Sequence, residues 1–115
     1  MSNCIFCRIA SGEIPSTIVA RSPEAVAFRD QNPQAPTHVL VIPVRHYAGL
    51  NDMTDADGVR HLAAVTALAL QVAKQEGLWE DGYRVVFNSG ANGGQSVYHL
   101  HAHLLGGRKM SWPPG

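Results

Sequence analysis

Histidines fall at every second position in His99-Leu100-His101-Ala102-His103-Leu104-Leu105, so half of the six in the chain occupy five residues. Imidazole is the side chain that attacks phosphorus, shuttles protons and binds metals near neutral pH. Alternation with apolar residues is the period of a half-buried β-strand. It predicts a strand over residues 97–105 with the three rings on one face and Leu100, Ala102 and Leu104 on the other. Same-face neighbours on a strand are about 6.6 Å apart, which puts His99 and His103 roughly 13 Å apart. A zinc–nitrogen bond spans only about 2.0–2.1 Å, so one ion would strain to reach all three rings. Two adjacent rings can share a metal, and buried histidines satisfied by backbone groups are the other plain alternative. Neither accounts for the loop just before them.

That loop is Ser89-Gly90-Ala91-Asn92-Gly93-Gly94. Its glycines allow close backbone approach to a ligand, and successive N–H groups can form an anion-binding concavity. Asn88 and Ser96 add an amide and a hydroxyl. Alone, such a loop is only a turn. Beside a histidine triplet it suggests a phosphate held against a nucleophilic imidazole. The second chemical signal is Cys4-Ile5-Phe6-Cys7, which holds both cysteines of the chain. Cys-x2-Cys is half of a tetrahedral zinc site; it is also compatible with reduced thiols or with a redox pair, although a redox pair lacks its usual βαβ surroundings here.

The elements that must carry these groups follow from pattern. Residues 4–11 read as a short helix or turn stopped by Gly12 and Pro15. Ile18 to Arg21 and Ala25 to Phe28 read as a hairpin around Ser22-Pro23-Glu24. Residues 30–36 form a loop, and His38 to Ile42 is a β-branched strand closed by Pro43. A long helix begins at Thr54 as N-cap, with Asp55 and Asp57 in its first turn, and stops at Gly77. Its expected buried face is Val59, Leu62, Ala63, Thr66, Ala69, Leu70 and Ala73. Tyr83 to Asn88 is a further strand. This order implies an α+β domain, an antiparallel sheet with helices on one side. No repeat or linker divides it, so one domain over residues 1–115 is expected. Trp112 lies in an irregular tail and is expected to dock, on its own subunit or on a neighbour.

Composition narrows the partners. The chain is 45% hydrophobic and 16% charged, and nine basic residues balance nine acidic ones. A neutral balance disfavours nucleic acid or an anionic membrane as the main partner, but permits one local anionic ligand. No apolar stretch has the length of a signal peptide or a membrane span, so a cytoplasmic protein is expected. In a reducing compartment, metal or redox chemistry outranks a structural disulfide for the cysteine pair.

The run from Gly93 through His99-Leu100-His101-Ala102-His103-Leu104-Leu105 resembles the signature of the histidine triad family. The likeness extends from Ile5-Phe6, through Gln34-Ala35-Pro36-Thr37-His38-Val39-Leu40-Val41-Ile42-Pro43, to Trp112-Pro113-Pro114-Gly115. Its ending is similar to the histidine triad nucleotide-binding branch. The resemblance implies a five-stranded antiparallel sheet with one long and one short helix, extended across a homodimer whose interface receives the tail 106–115. It implies a purine nucleoside phosphoramidase acting through a nucleotidyl-histidine intermediate. His101 would be the nucleophile, His103 the phosphoryl-oxygen partner, and Ser96 would lie near the leaving group. His38 would support the triad and His99 would anchor it. Asn88, Gly94 and Gln95 match phosphate-contacting positions, and Asp30 the acceptor of the ribose hydroxyls. Ile5, Phe6, Ile9 and Phe28 match the walls of the purine pocket, with Trp112 reaching the partner's site.

Some family members pair cysteines like Cys4 and Cys7 with residues at the His46 and His99 positions around a structural zinc. The chemistry itself needs no metal. Two other functions remain open: a dinucleoside polyphosphate hydrolase or nucleotide phosphorylase with the same triad, and a non-catalytic nucleotide-binding or zinc-bearing module. Two departures stand out. Ser111 precedes Trp112 where related tails carry histidine, and Gln31 follows Asp30 where an apolar residue is common.

Overall fold

The computed structural model describes residues 3–115. Its elements run α1 (Ile5–Ala10), β1 (Ile18–Arg21), β2 (Ala25–Arg29), β3 (Thr37–Pro43), α2 (Ala56–Gln75), β4 (Tyr83–Phe87) and β5 (Ala102–Gly106), with one turn of 3-10 helix at Leu50–Asp52. The strands form one antiparallel sheet in the order β1-β2-β3-β5-β4. Among the described residues, no helix is long and apolar enough to cross a membrane.

Alternation along the central strands sorts side chains to two faces. Ala25, Ala27, Val39, Val41, Ala102 and Leu104 meet Val65, Leu68, Ala69, Val72 and Ala73 of α2. Val26, Phe28, Leu40 and Ile42 point the other way and meet Phe6, Ile9 and Ala10 of α1. The helices therefore cover opposite faces of the sheet, not one side as expected. A six-residue helix carries too few residues for periodicity to show which face it covers.

Two corrections concern α2. Its N-cap is Asp55, whose Oδ1 accepts the Gly58 N–H at 2.7 Å, not Thr54. Its buried face is Gly58, His61, Val65, Leu68, Ala69, Val72 and Ala73, rotated from the expected stripe, with which it shares only Ala69 and Ala73. Gly58 belongs there because a Cβ would stand 2.7 Å from the Met53 Cα. Val59 and Leu70 instead face outward, 54% and 40% exposed. The C-terminal stop behaves as expected. Gly77 takes φ +73°, and Gly77 N–H and Leu78 N–H donate to the carbonyls of Lys74 and Ala73 in a Schellman closure.

The histidine strand is shorter than its alternation suggests. Pairing begins at Ala102, opposite Val41 and Phe87, and only His103 of the three histidines stands in β5. His99 and His101 lie in the irregular segment that enters the strand. Alternating apolar residues there are buried by tertiary contact: Leu100 is 2% exposed, and its N–H donates to the Tyr47 carbonyl at 2.7 Å.

Candidate active site

The face of the sheet covered by α1 carries the chemistry. His103 on β5 stands opposite Leu40 on β3, and His38 lies two residues before Leu40 on the same face. His38 and His103 meet Nε2 to Nδ1 at 2.9 Å. The Gln34 N–H donates to His38 Nδ1 at 3.0 Å, so the proton of a neutral His38 ring sits on Nε2. That proton is donated to His103 Nδ1, which leaves the His103 proton on Nε2. Burial, with His101 and His38 nearby, pushes His103 down to about 4, and burial also lowers His38 against the opposing pull of Asp30. Both rings are neutral at pH 7. The backbone of one loop thus orients two imidazoles in series.

His101 is oriented separately. Its Nδ1–H donates to the His99 carbonyl at 2.9 Å. Nε2 is left with its lone pair, which is the state a nitrogen nucleophile requires. The His101 and His103 rings lie 4.9 Å apart, and Phe6 meets His101 edge-on at 5.2 Å. Around them a cleft of about 230 Å³ is lined by Ile5, Phe6, Ile9, Phe28, Asp30, Ser96, His101 and His103, all expected site residues. Leu40, Ile14, Val97, Gln31, Ser16 and Arg29 complete its walls. Leu40 was recoverable from sequence, because alternation from His38 places it on the same face. Ile14 gave no such signal, since it follows α1 in an irregular turn.

Asp30 sits at the cleft with Oδ2 3.5 Å from His38 Nε2, while Oδ1 accepts the Asn32 N–H at 2.8 Å. Both oxygens keep lone pairs for a further donor. Gln95 is placed differently from expectation. Its side chain turns inward, donating to the carbonyls of Ala48 (2.7 Å) and Val97 (3.1 Å) and accepting from Gly90 N–H (3.0 Å). It braces the glycine loop from behind, and neither it nor Asn88 or Gly94 lines the cleft. Trp112 is 82% exposed and does not dock on its own subunit. Its tail is tied to the sheet edge by Arg84, which donates to the Ser111 carbonyl at 2.9 Å.

His99 belongs to another centre. Its Nε2–H donates to the Pro43 carbonyl at 2.8 Å, which leaves the unprotonated Nδ1 as the ring's acceptor. That Nδ1 faces Cys4 Sγ at 3.3 Å, Cys7 Sγ at 3.4 Å and His46 Nδ1 at 3.2 Å. Zinc bonded tetrahedrally to nitrogen and sulfur separates its ligand atoms by about 3.3–3.8 Å. Two nitrogens and two sulfurs already converge at nearly those spacings, so the four residues fit a metal ion. His99 faces away from the cleft, and His101 and His103 face it.

Protonation links this face to stability. His103 titrates near 4 in the folded chain and near 6.5 when unfolded, so between those values the unfolded state binds more protons. Stability is therefore expected to fall as pH drops from 6.5 toward 4. Because the ring is partly solvated, the loss is about 1–2 kcal/mol rather than the full linkage value. Urea midpoints across that range, compared between wild type and His103→Gln, measure it; identical pH slopes would contradict the assignment.

Comparison with known proteins agrees with this geometry. A family model described as the HIT domain matches residues 11–110, and the chain belongs to that family. It is 56% identical to the "14 kDa zinc-binding protein" of Zea mays, over 99% of this chain and 89% of that one. It is 47% identical to the "Purine nucleoside phosphoramidase" of Escherichia coli K12, over 92% of this chain and 88% of that one. The crystal structure of a HIT family hydrolase from Legionella pneumophila superposes with a TM-score of 0.93 at 55% identity, covering 98% of this chain and all of that one.

Proposed function

We propose that this protein is a purine nucleoside phosphoramidase that works through a nucleotidyl-His101 intermediate. The observation that carries the reading is the His101 Nδ1–H bond to the His99 carbonyl, which commits the Nε2 lone pair to attack. The chain is a hydrolase of nucleotide P–N bonds, as its relationship to the phosphoramidase supports. In the first step His101 Nε2 bonds to the α-phosphorus and the P–N bond breaks. The departing nitrogen takes a proton relayed from solvent through the exposed Ser96 hydroxyl. In the second step a water oxygen bonds to phosphorus and gives up one proton to solvent through the same hydroxyl, the Nε2–P bond breaks, and the nucleoside monophosphate leaves. His103 donates its Nε2–H to a phosphoryl oxygen throughout, most strongly as charge builds there. Apolar walls from Phe6, Ile9 and Phe28 take the purine, and Asp30 takes the ribose hydroxyls. The glycine loop, with Asn88 and Gly94, approaches the phosphate through its backbone once substrate is bound. Acid quench of a reaction with adenosine 5′-phosphoramidate, followed by mass spectrometry, should find the adenylyl group on His101. A labelled residue elsewhere, or turnover with no label at any time, contradicts the scheme.

The cluster of Cys4, Cys7, His46 and His99 is read as a structural zinc site, and a reducing cytosol keeps both thiols available to it. When bound, zinc supplies four-point cross-linking of three segments of chain and takes no part in the reaction at phosphorus.

We also propose a homodimer. The outward stripe of α2 containing Val59 and Leu70 is apolar, β4 is a sheet edge, and its five residues are all half-buried. Pairing β4 with its copy would continue the sheet, satisfy the edge and bury both the stripe and the exposed Trp112. Light scattering should give twice the 12.4 kDa chain mass, and Val59→Asp/Leu70→Asp should halve it. A wild-type mass of one chain rejects the dimer.

A further inference from the structure

His101, the proposed nucleophile, sits on a segment that no strand holds. His103 is fixed by ladder partners on both sides, opposite Leu40 and Val86, whereas the paired residues of β5 begin only at Ala102. What determines the ring of His101 is the carbonyl of His99. That carbonyl is positioned in turn by the His99 side chain, which is fully buried and held at both nitrogens, by Pro43 on one side and by the Cys4–Cys7–His46 donors on the other. The next backbone group, Leu100 N–H, bonds to Tyr47, the residue after His46. Three segments that are distant in sequence thus converge on the one peptide that orients His101.

The same donors fix a wall of the cleft. Cys4 is the N-cap of α1, its sulfur accepting the Cys7 N–H at 3.4 Å. Phe6, between the two cysteines, packs edge-on against Phe28 (5.5 Å), His99 (6.0 Å) and His101 (5.2 Å). Movement of α1 away from His99 would therefore loosen the base wall and the nucleophile together.

We infer that Cys4, Cys7 and His46 are positioning residues for catalysis: through His99 they lock the Nδ1–H form of His101 and set the Phe6 wall, so metal at this cluster governs turnover as well as stability. The inference rests on the reading of His101 as nucleophile. The effect expected on losing such outer partners of an active group is a 10–100-fold fall in kcat, about the range seen when supporting shells are removed.

The test compares wild type, Cys4→Ser/Cys7→Ser, His46→Ala, and Leu68→Ala as a control for general destabilisation in the opposite core. Elemental analysis first establishes metal content. kcat and KM on adenosine 5′-phosphoramidate, AMP affinity by calorimetry, and the His101 tautomer by nitrogen-15 NMR are then measured. Loss of metal should lower kcat 10–100-fold, weaken AMP several-fold, and mix the Nε2–H tautomer into a ring that wild type holds as Nδ1–H. Leu68→Ala should lower Tm while leaving kcat and tautomer alone. If the cysteine variant does not fold, His46→Ala and chelator-stripped wild type, reloaded with zinc, supply the same readouts. Unchanged kcat and tautomer on metal loss overturn the inference, as does wild-type protein that binds no metal. A wild type inactive on the phosphoramidate would sink the proposed reaction instead, and the tautomer and AMP arms would still decide the positioning role.

Discussion

His101→Ala is expected to lower kcat on adenosine 5′-phosphoramidate by at least about 10⁴-fold while leaving AMP affinity within a few-fold of wild type. The asymmetry follows from where the ring stands. Its Nδ1 is occupied by the His99 carbonyl, and the only chemistry left to it is through Nε2. Removing it takes away the atom proposed to bond to phosphorus, and no other imidazole is presented in the same way. His103 has Nδ1 engaged by His38 and its proton on Nε2, and the acceptor nitrogen of His99 faces the cysteines instead of the cleft. On the proposed reading ground-state binding rests on the Phe6, Ile9 and Phe28 walls and on Asp30, and of these the substitution removes a contact only from Phe6, which still packs on Phe28. Single-turnover rates and calorimetric titration of AMP measure the two quantities independently. Turnover close to wild type would eliminate covalent catalysis at this residue, and equal losses of binding and rate would recast His101 as a binding group.

The second large effect is expected at His103. His103→Ala should reduce kcat about 10²–10³-fold, the usual cost of deleting one preorganised donor to a developing oxyanion. His38→Ala should cost less on its own, because His103 keeps its place in the β5 ladder and loses only the partner that fixes its tautomer. The double variant should be scarcely worse than His103→Ala, since His38 acts through that ring. A double-mutant cycle in kcat therefore gives a strongly non-additive result. Additive losses would mean that His38 reaches the substrate by a route of its own, for example through Asp30, 3.5 Å from its Nε2.

Residue types and spacing revealed much of this arrangement because most of the elements are locally coded. The β1–β2 hairpin, the β-branched run of β3 and the glycine stop of α2 all lie where propensity and turn chemistry put them. Alternation also pointed to three rings that do not share one site, and the rings do face different surroundings, but for a reason that was only partly right. The rings diverge because His99 and His101 precede the strand, and not because a straight strand spaces them out. Periodicity cannot see this, since a buried irregular segment alternates as well when every second side chain meets a neighbour. The rotation of α2 had a different origin. Its sequence carries two apolar stripes, and the one buried within the chain includes Gly58 and His61, residues no hydrophobic scale would select. Gln95 was legible as a position beside the glycine loop but not as its brace, because the partners of its amide lie in backbone up to 47 residues away.

Placing α1 and α2 on opposite sides of one sheet makes that sheet a partition. The histidine cleft and its apolar walls inhabit one compartment, while the largest aliphatic reservoir and the surface proposed to meet a second copy belong to the other. A change such as Leu68→Ala can weaken the whole molecule without altering what it recognises, and a change at Gln31 can retune recognition with little effect on the interior of α2. Substrate preference and robustness can accordingly drift apart in descendants of this chain, each explored on its own side of a shared wall.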